Sequence, residues 1–149
     1  MGRGAASRSR SGGSMAGDGR RPETIATIQK ATMAMELSVD FNFSAAHLLP
    51  FYNGSCSRLH GHNYRLRVAL EGVPNPRDGM IRDFEEIRSK VWELVLVQCD
   101  HHNLNDLMEN PTAENVVAWM WQRLKPQLEG LKELHLWETP EYCVTYRES

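Results

Sequence analysis

Two stretches of apolar–polar alternation limit what this chain can fold into. In "ELSVDFNFSAAH" (36–47), Leu37, Val39, Phe41 and Phe43 alternate with polar neighbours. In "HGHNYRLRVALEG" (60–72), Tyr64, Leu66, Val68 and Leu70 do the same until Gly72 and Pro74 stop the run. A period of two is that of a strand with one buried face. The turn-rich "LLPFYNGSCS" between them predicts an antiparallel pair. Two helices follow. Asp83 can cap the first, with Glu86 three residues on in a capping-box arrangement, and Phe84, Ile87, Val91, Leu94 and Val95 form one stripe. Pro111 or Thr112 opens the second, whose apolar face is Ala113, Val116, Val117, Met120 and Leu124, and Gly130 ends it. "LKELHLWET" and "EYCVTYR" are two more short alternating runs separated by Pro140. The order β-β-α-α-β-β predicts an α+β sandwich, with two helices packed on one face of a four-stranded antiparallel sheet.

That pattern occupies residues 35–149 as a single domain, and nothing in the 149 residues makes room for a second lobe. Residues 1–34 are different. They carry six Lys/Arg against two Asp/Glu, a net +4, are rich in Gly, Ser and Arg, and lack apolar periodicity, so a disordered basic extension is expected. Their Arg/Ser bias has a faint likeness to a transit peptide, and Arg20-Arg21 to a twin-arginine signal, but no apolar region follows the pair. An extension ahead of Met33 or Met35 is the simpler reading. Residues 35–149 carry eleven Lys/Arg against seventeen Asp/Glu, a net −6. An acidic body without a basic stripe argues against nucleic acid as a partner, because phosphate neutralisation dominates such binding. No apolar run approaches the roughly 18 residues of a membrane helix. The three cysteines, Cys56, Cys99 and Cys143, are odd in number and widely spaced, which points to free thiols in a reducing, cytoplasmic compartment.

"CSRLHGH" (56–62) concentrates the chemistry. In an extended segment residues i and i+2 share a side, so His60 and His62 project together with Gly61 facing away. His47 ends the preceding strand, and an antiparallel return brings it near the pair. Three neutral imidazoles with one open position are the ligand set of a catalytic zinc. An H-x-H pair also occurs as a surface feature or a satisfied polar cluster. Cys56 stays open between two roles: fourth ligand of a closed structural site, or a thiol made easier to ionise by a nearby cation and so available as a base. If the chain is extended from Cys56 onward, Cys56, Arg58, His60 and His62 all face one way.

"FSAAH", "CSRLHGHNY", "GMIRDF", "DHHNLN", "PTAEN" and "WET", in this order from Phe43 to Thr139, resemble the 6-pyruvoyl-tetrahydropterin synthase superfamily. The spacing of Cys56 to His60 is similar to that of its 6-carboxytetrahydropterin synthase branch. The resemblance implies the tunnelling fold (T-fold), with the domain's sheets closing into a β-barrel oligomer, a hexamer built as a dimer of trimers with active sites between subunits. It implies zinc held by His47, His60 and His62, and Cys56 as the base that takes a proton from the substrate. It also implies a pterin triphosphate substrate: 7,8-dihydroneopterin triphosphate, converted to 6-carboxytetrahydropterin, acetaldehyde and triphosphate on the way to queuosine and other deazapurines. Two alternatives remain. One is 6-pyruvoyl-tetrahydropterin formation by triphosphate elimination only; the other is a non-catalytic zinc-stabilised binding module closed by Cys56.

The remaining site residues follow with the resemblance beside them. Asp100 and His101 of "DHHNLN" join a carboxylate to an imidazole, which by itself reads as a turn cap; the resemblance implies a catalytic pair that moves protons. Glu138 shares parity with Leu134 and Leu136, which puts an acid on an otherwise apolar strand face. The resemblance makes it the pterin anchor, accepting the ring N–H and the exocyclic amine. Thr112 and Glu114 are expected to border the same substrate site, although Thr112 is equally suited to capping. Arg58 reads as an exposed arginine, with contact to a phosphate of the implied substrate as the alternative, the tryptophans as core or subunit contacts, and Cys99 and Cys143 as small buried residues.

Overall fold

The structure, a computed structural model, describes residues 34–149. The basic extension expected over residues 1–34 lies outside them, apart from Ala34. Strand β1 (Met35–His47) pairs antiparallel with β2 (His60–Gly72) over the whole length of both, from Met35 opposite Gly72 to His47 opposite His60. The alternation dictates this register. Val39, Phe41, Phe43 and Ala45 of β1 share the buried face with Tyr64, Leu66, Val68 and Leu70 of β2. A one-residue slip would turn every one of these side chains to water.

Helix α1 (Phe84–Val91) is capped by Asp83, whose carboxylate accepts the Glu85 N–H at 2.9 Å. The reciprocal half of the expected capping box is absent, because the Glu86 carboxylate turns outward to Lys90 at 3.0 Å and Arg82 at 3.5 Å. The helix runs on through a π turn (Trp92–Leu96) to a last α turn (Val97–Cys99). That wider turn re-aims the stripe. Ile87, Val91 and Val95 are buried as expected, Leu96 and Cys99 join them, and Phe84 is left 56% exposed.

After α1, Asp100 and His101 fold back against β1. The Asp100 carboxylate accepts the Ser44 N–H at 3.0 Å and the His101 N–H donates to the Ser44 carbonyl at 2.6 Å. A two-residue strand β3 (His102–Asn103) results, parallel to β1 at Ala45 and Ala46. Helix α2 (Ala113–Leu124) begins at Thr112, whose hydroxyl accepts the Asn115 N–H at 3.2 Å, and buries Val116, Val117, Met120, Trp121 and Leu124. It closes at Lys125, ahead of Pro126 and well before Gly130. Strands β4 (Leu131–Trp137) and β5 (Cys143–Tyr146) complete a sheet of order β3-β1-β2-β4-β5. The α+β architecture is the expected one, with the four antiparallel strands extended by short parallel β3. Both helices pack on one face. The other face is polar, and there Asp40 accepts from Arg65 and Arg67, each at 2.7 Å, while the Arg65 guanidinium lies over Trp137. Cys99 is buried, but Cys143 is exposed, because it pairs with Trp137 on the polar face while Val144 and Tyr146 take the core side.

Candidate metal centre and active site

The parity that builds the core also builds the site. Continued to the end of the β1–β2 pair, the helix-side face presents His47 directly opposite His60, with His62 one pair further in, opposite Ala45. His47 is fully buried. Its Nδ1 donates to the Pro111 carbonyl at 2.8 Å, and His60 Nδ1 donates to the Arg58 carbonyl at 2.7 Å. A carbonyl can only accept, so both rings carry their proton on Nδ1 and turn a lone pair outward at Nε2. Those two Nε2 atoms lie 3.1 Å apart. His62 Nε2 is buried without a hydrogen-bond partner, and the Glu138 carboxylate is 3.0 Å from His47 Nε2 and 3.3 Å from His62 Nε2. Converging lone pairs and a carboxylate repel one another unless a cation lies among them.

Among the described residues, the ligand atoms of His47, His60 and His62 all lie within 4.8 Å of one another and could hold a metal ion. The donor set fits a divalent ion with a taste for imidazole, with outer carbonyls fixing each tautomer. The local electrostatics agree. Without an ion, a proton on His47 Nε2 takes its place: burial pushes His47 down, but the bond this proton makes to Glu138 and the Pro111 carbonyl outweigh that and hold the ring above the ordinary imidazole range. Burial pushes His62 below that range, with Glu138 opposing. The hydrogen bond from His47 holds Glu138 below the ordinary carboxylate range against the cost of burial. Beneath the rings, Tyr64 stacks on Phe43 with centroids 5.0 Å apart and brings its hydroxyl to 3.3 Å from His47 Nδ1. Sequence reasoning assigned Tyr64 to the core alone; only the register reveals the contact.

Cys56 sits in a 3-10 turn (Ser55–Ser57), tethered where the Leu49 N–H donates to the Cys56 carbonyl at 2.8 Å. The turn breaks the extended path assumed from Cys56 onward, so the shared facing expected for Cys56 and the histidines does not apply. Cys56 is outside the set of mutually close ligand atoms. It is half-buried and shares a pocket of about 440 Å³ with Arg58, Leu59 and His60. Asp100 and His101 form a tight pair, His101 Nδ1 to Asp100 Oδ1 at 3.0 Å, on a backbone that takes His101 to a φ of 61°. The Ser44 N–H holds the Asp100 carboxyl below its ordinary range, with His101 assisting against burial. His101, 80% exposed, lines a second pocket of about 500 Å³ together with His62, Asn63 and His102. A third, of about 410 Å³, gathers Thr112, Glu114 and Glu138 with Leu49, Tyr142 and Val144. The predicted substrate-site residues therefore lie together, and Leu49 and Tyr142 join them unannounced by any periodicity. Cys56 and His101 line different pockets of the chain.

Residues 36–149 match the family described as 6-pyruvoyl tetrahydropterin synthase. The chain belongs to the 6-pyruvoyl tetrahydropterin synthase family. Family relatives include the 6-carboxy-5,6,7,8-tetrahydropterin synthase of Synechocystis, 37% identical over 112 residues that cover 71% of this chain and 85% of the relative. The dihydroneopterin monophosphate aldolase of Pyrococcus furiosus is 39% identical over 106 residues, 69% of this chain and 89% of the relative. The structure of the 6-pyruvoyl tetrahydropterin synthase of Caenorhabditis elegans superposes with a TM-score of 0.71 at 30% identity, covering 78% of this chain and 97% of that one. Among the described residues, no helix is long and apolar enough to cross a membrane.

Proposed function

We propose that the protein is a zinc-dependent 6-carboxy-5,6,7,8-tetrahydropterin synthase, converting 7,8-dihydroneopterin triphosphate and one water to 6-carboxytetrahydropterin, acetaldehyde and triphosphate in the cytoplasmic synthesis of queuosine and related deazapurines. The observation that carries this reading is the convergence of three tautomer-fixed or unpartnered imidazole nitrogens within 4.8 Å, beside a pocket that holds a thiol. The name of the Synechocystis relative supports the carboxy product. Zinc, when bound by His47, His60 and His62, supplies a Lewis acid that polarises the oxygens of the substrate side chain and acidifies the adjacent C–H. Cys56 takes that proton as thiolate. Asp100 orients His101 and raises its basicity, so that His101 passes protons at its outer nitrogen. Glu138 accepts the ring N–H and exocyclic amine of the pterin, in a pocket bordered by Thr112 and Glu114.

The separation of Cys56 from His101 within one protomer supports an assembly in which a neighbouring subunit completes the site. A hexamer formed as a dimer of trimers, each closed into a β-barrel, is the arrangement we propose. Formation of 6-pyruvoyl-tetrahydropterin is the second reading, supported by the superposition on the Caenorhabditis elegans structure.

The test is metal analysis joined to product identification. Purified protein loaded with zinc is expected to retain one ion per chain and to release a two-carbon aldehyde from 7,8-dihydroneopterin triphosphate. A product keeping all three side-chain carbons would move the assignment to the second reading. Cys56→Ala is expected to keep zinc and fold while losing about 100-fold or more in turnover, the usual worth of a positioned acid or base. Joint loss of metal and folding would favour a structural zinc module instead.

A further inference from the structure

Arg58 links the thiol turn to the first ligand of β2. Its backbone is fixed on both sides, with its N–H donating to the Ser55 carbonyl at 3.2 Å and its carbonyl accepting from His60 Nδ1 at 2.7 Å. Its side chain is exposed and lines the pocket of about 440 Å³ shared with Cys56 and His60. A cavity of this size is enough for a segment of a ligand rather than for a few waters.

Most other cations of the described residues are already engaged. Arg65 and Arg67 meet Asp40, Arg82 meets Glu86 and Glu129, and Arg88 meets Glu85. Lys90, Lys125, Lys132 and Arg147 likewise sit within 4.0 Å of carboxylates. Arg123 lies over the Trp119 ring at 4.4 Å. Arg77 stands in the turn between β2 and α1, away from the three pockets around the histidines. Arg58 thus combines two properties: it has no carboxylate partner among the described residues, and it lines a pocket that contains a metal-ligand candidate and the Cys56 thiol. In a body of net charge −6, such an arginine has a clear use. A polyanionic ligand approaching an acidic surface needs a local positive charge, and a guanidinium offers planar, permanently charged, bidentate recognition of phosphate.

We propose that Arg58 is the anchor for the polyphosphate chain of the substrate, holding it in the Cys56–His60 pocket. This rests on the functional reading above and adds a residue to it. The choice of substrate then depends on phosphate-chain length through one side chain whose backbone also fixes the tautomer of His60. The two contributions are separable, because replacing the side chain leaves the carbonyl in place.

The experiment uses the full chain at a buffered free zinc concentration that keeps it loaded, with inorganic triphosphate as the probe and calorimetry as the readout. Wild type is expected to bind triphosphate, and Arg58→Gln about tenfold or more weakly, with the gap narrowing as salt is raised. Arg58→Lys should fall between them, and zinc content should be equal in all three. Unphosphorylated neopterin should bind wild type and Arg58→Gln equally. Equal triphosphate affinity in wild type and Arg58→Gln, or no binding to wild type, would overturn the proposal. Absence of neopterin binding with the triphosphate difference intact would overturn the pterin reading and leave Arg58 as a polyanion site.

Discussion

The Glu138 carboxylate lies 3.0 Å from His47 Nε2 and 3.3 Å from His62 Nε2, close enough either to share a metal ion with them or to stand beside it as a substrate anchor. The two roles make different demands. A ligand is defined by its bond to the ion, whereas an anchor for a pterin edge needs a negative charge with two free oxygens facing a pocket. Glu138 lines the pocket with Thr112 and Glu114, which favours the anchor. Glu138→Gln keeps the size and removes the charge. We expect neopterin affinity to fall about tenfold to a hundredfold, the worth of roughly 1.5–3 kcal/mol for hydrogen bonds to a charged group, with zinc stoichiometry unchanged. Loss of zinc with little change in neopterin binding would make Glu138 a fourth ligand. At this scale the sequence was legible where one local rule sufficed: strand parity places His47, His60, His62 and Glu138 on one side without any tertiary knowledge. It was silent on the Pro111 and Arg58 carbonyls, whose directions depend on how distant segments pack. It misled at Cys56, where a 3-10 turn replaces the extended path that parity requires.

At the scale of elements, the β1–β2 pair and both helices were readable because burial periodicity and capping residues are local signals. The additions come from long-range contacts. Strand β3 exists because Asp100 and His101 bond to the backbone of Ser44, 56 and 57 residues earlier in the chain, and no local pattern encodes that. The π turn that continues the first helix likewise brings Leu96 and Cys99 inward, which a strict 3.6-residue stripe does not anticipate. Gly130 is the other instance. It does not end α2 but turns the chain into β4 with a φ of +82°, and its carbonyl accepts the Glu71 N–H at 2.8 Å beside a register shift in the β2–β4 ladder. A Cβ there would stand 2.5 Å from the Glu71 carbonyl oxygen. Gly130→Ala is therefore expected to destabilise the fold by about 1–3 kcal/mol from backbone strain, with the close contact adding to it. A fall in the denaturant midpoint with zinc content unchanged would match, and an unchanged midpoint would show that the β2–β4 junction yields freely.

For the whole molecule, the acidic body and the open sheet face set how stability responds to pH. Asp40 joins β1 to β2 on that face through Arg65 and Arg67, and the hydrogen bond from Arg67, with Arg65 helping against burial, lowers its pKa from 3.8 to about 2. A carboxylate whose pKa is depressed on folding contributes stability in full above its unfolded value and loses it as pH falls through the folded one. The Asp40 contribution is thus complete above pH 3.8 and fades toward pH 2. The Asp40 side chain is 37% exposed, so solvent screening keeps the effect modest, and the sign and window are the prediction. Asp100, lowered mainly by the Ser44 N–H, loses its contribution in the same direction. Release of the proposed zinc would overlay its own acid dependence, because its ligands must be deprotonated. The measurement therefore belongs on zinc-free protein, at one protein concentration so that any assembly equilibrium is held fixed. Denaturant midpoints of Asp40→Asn and wild type should run parallel above pH 4 with the variant lower, then converge as pH falls toward 2. If the two curves stay parallel through that window, the Asp40–arginine cluster adds nothing to the pH dependence, and the acid limb must come from Asp100 and the other carboxylates.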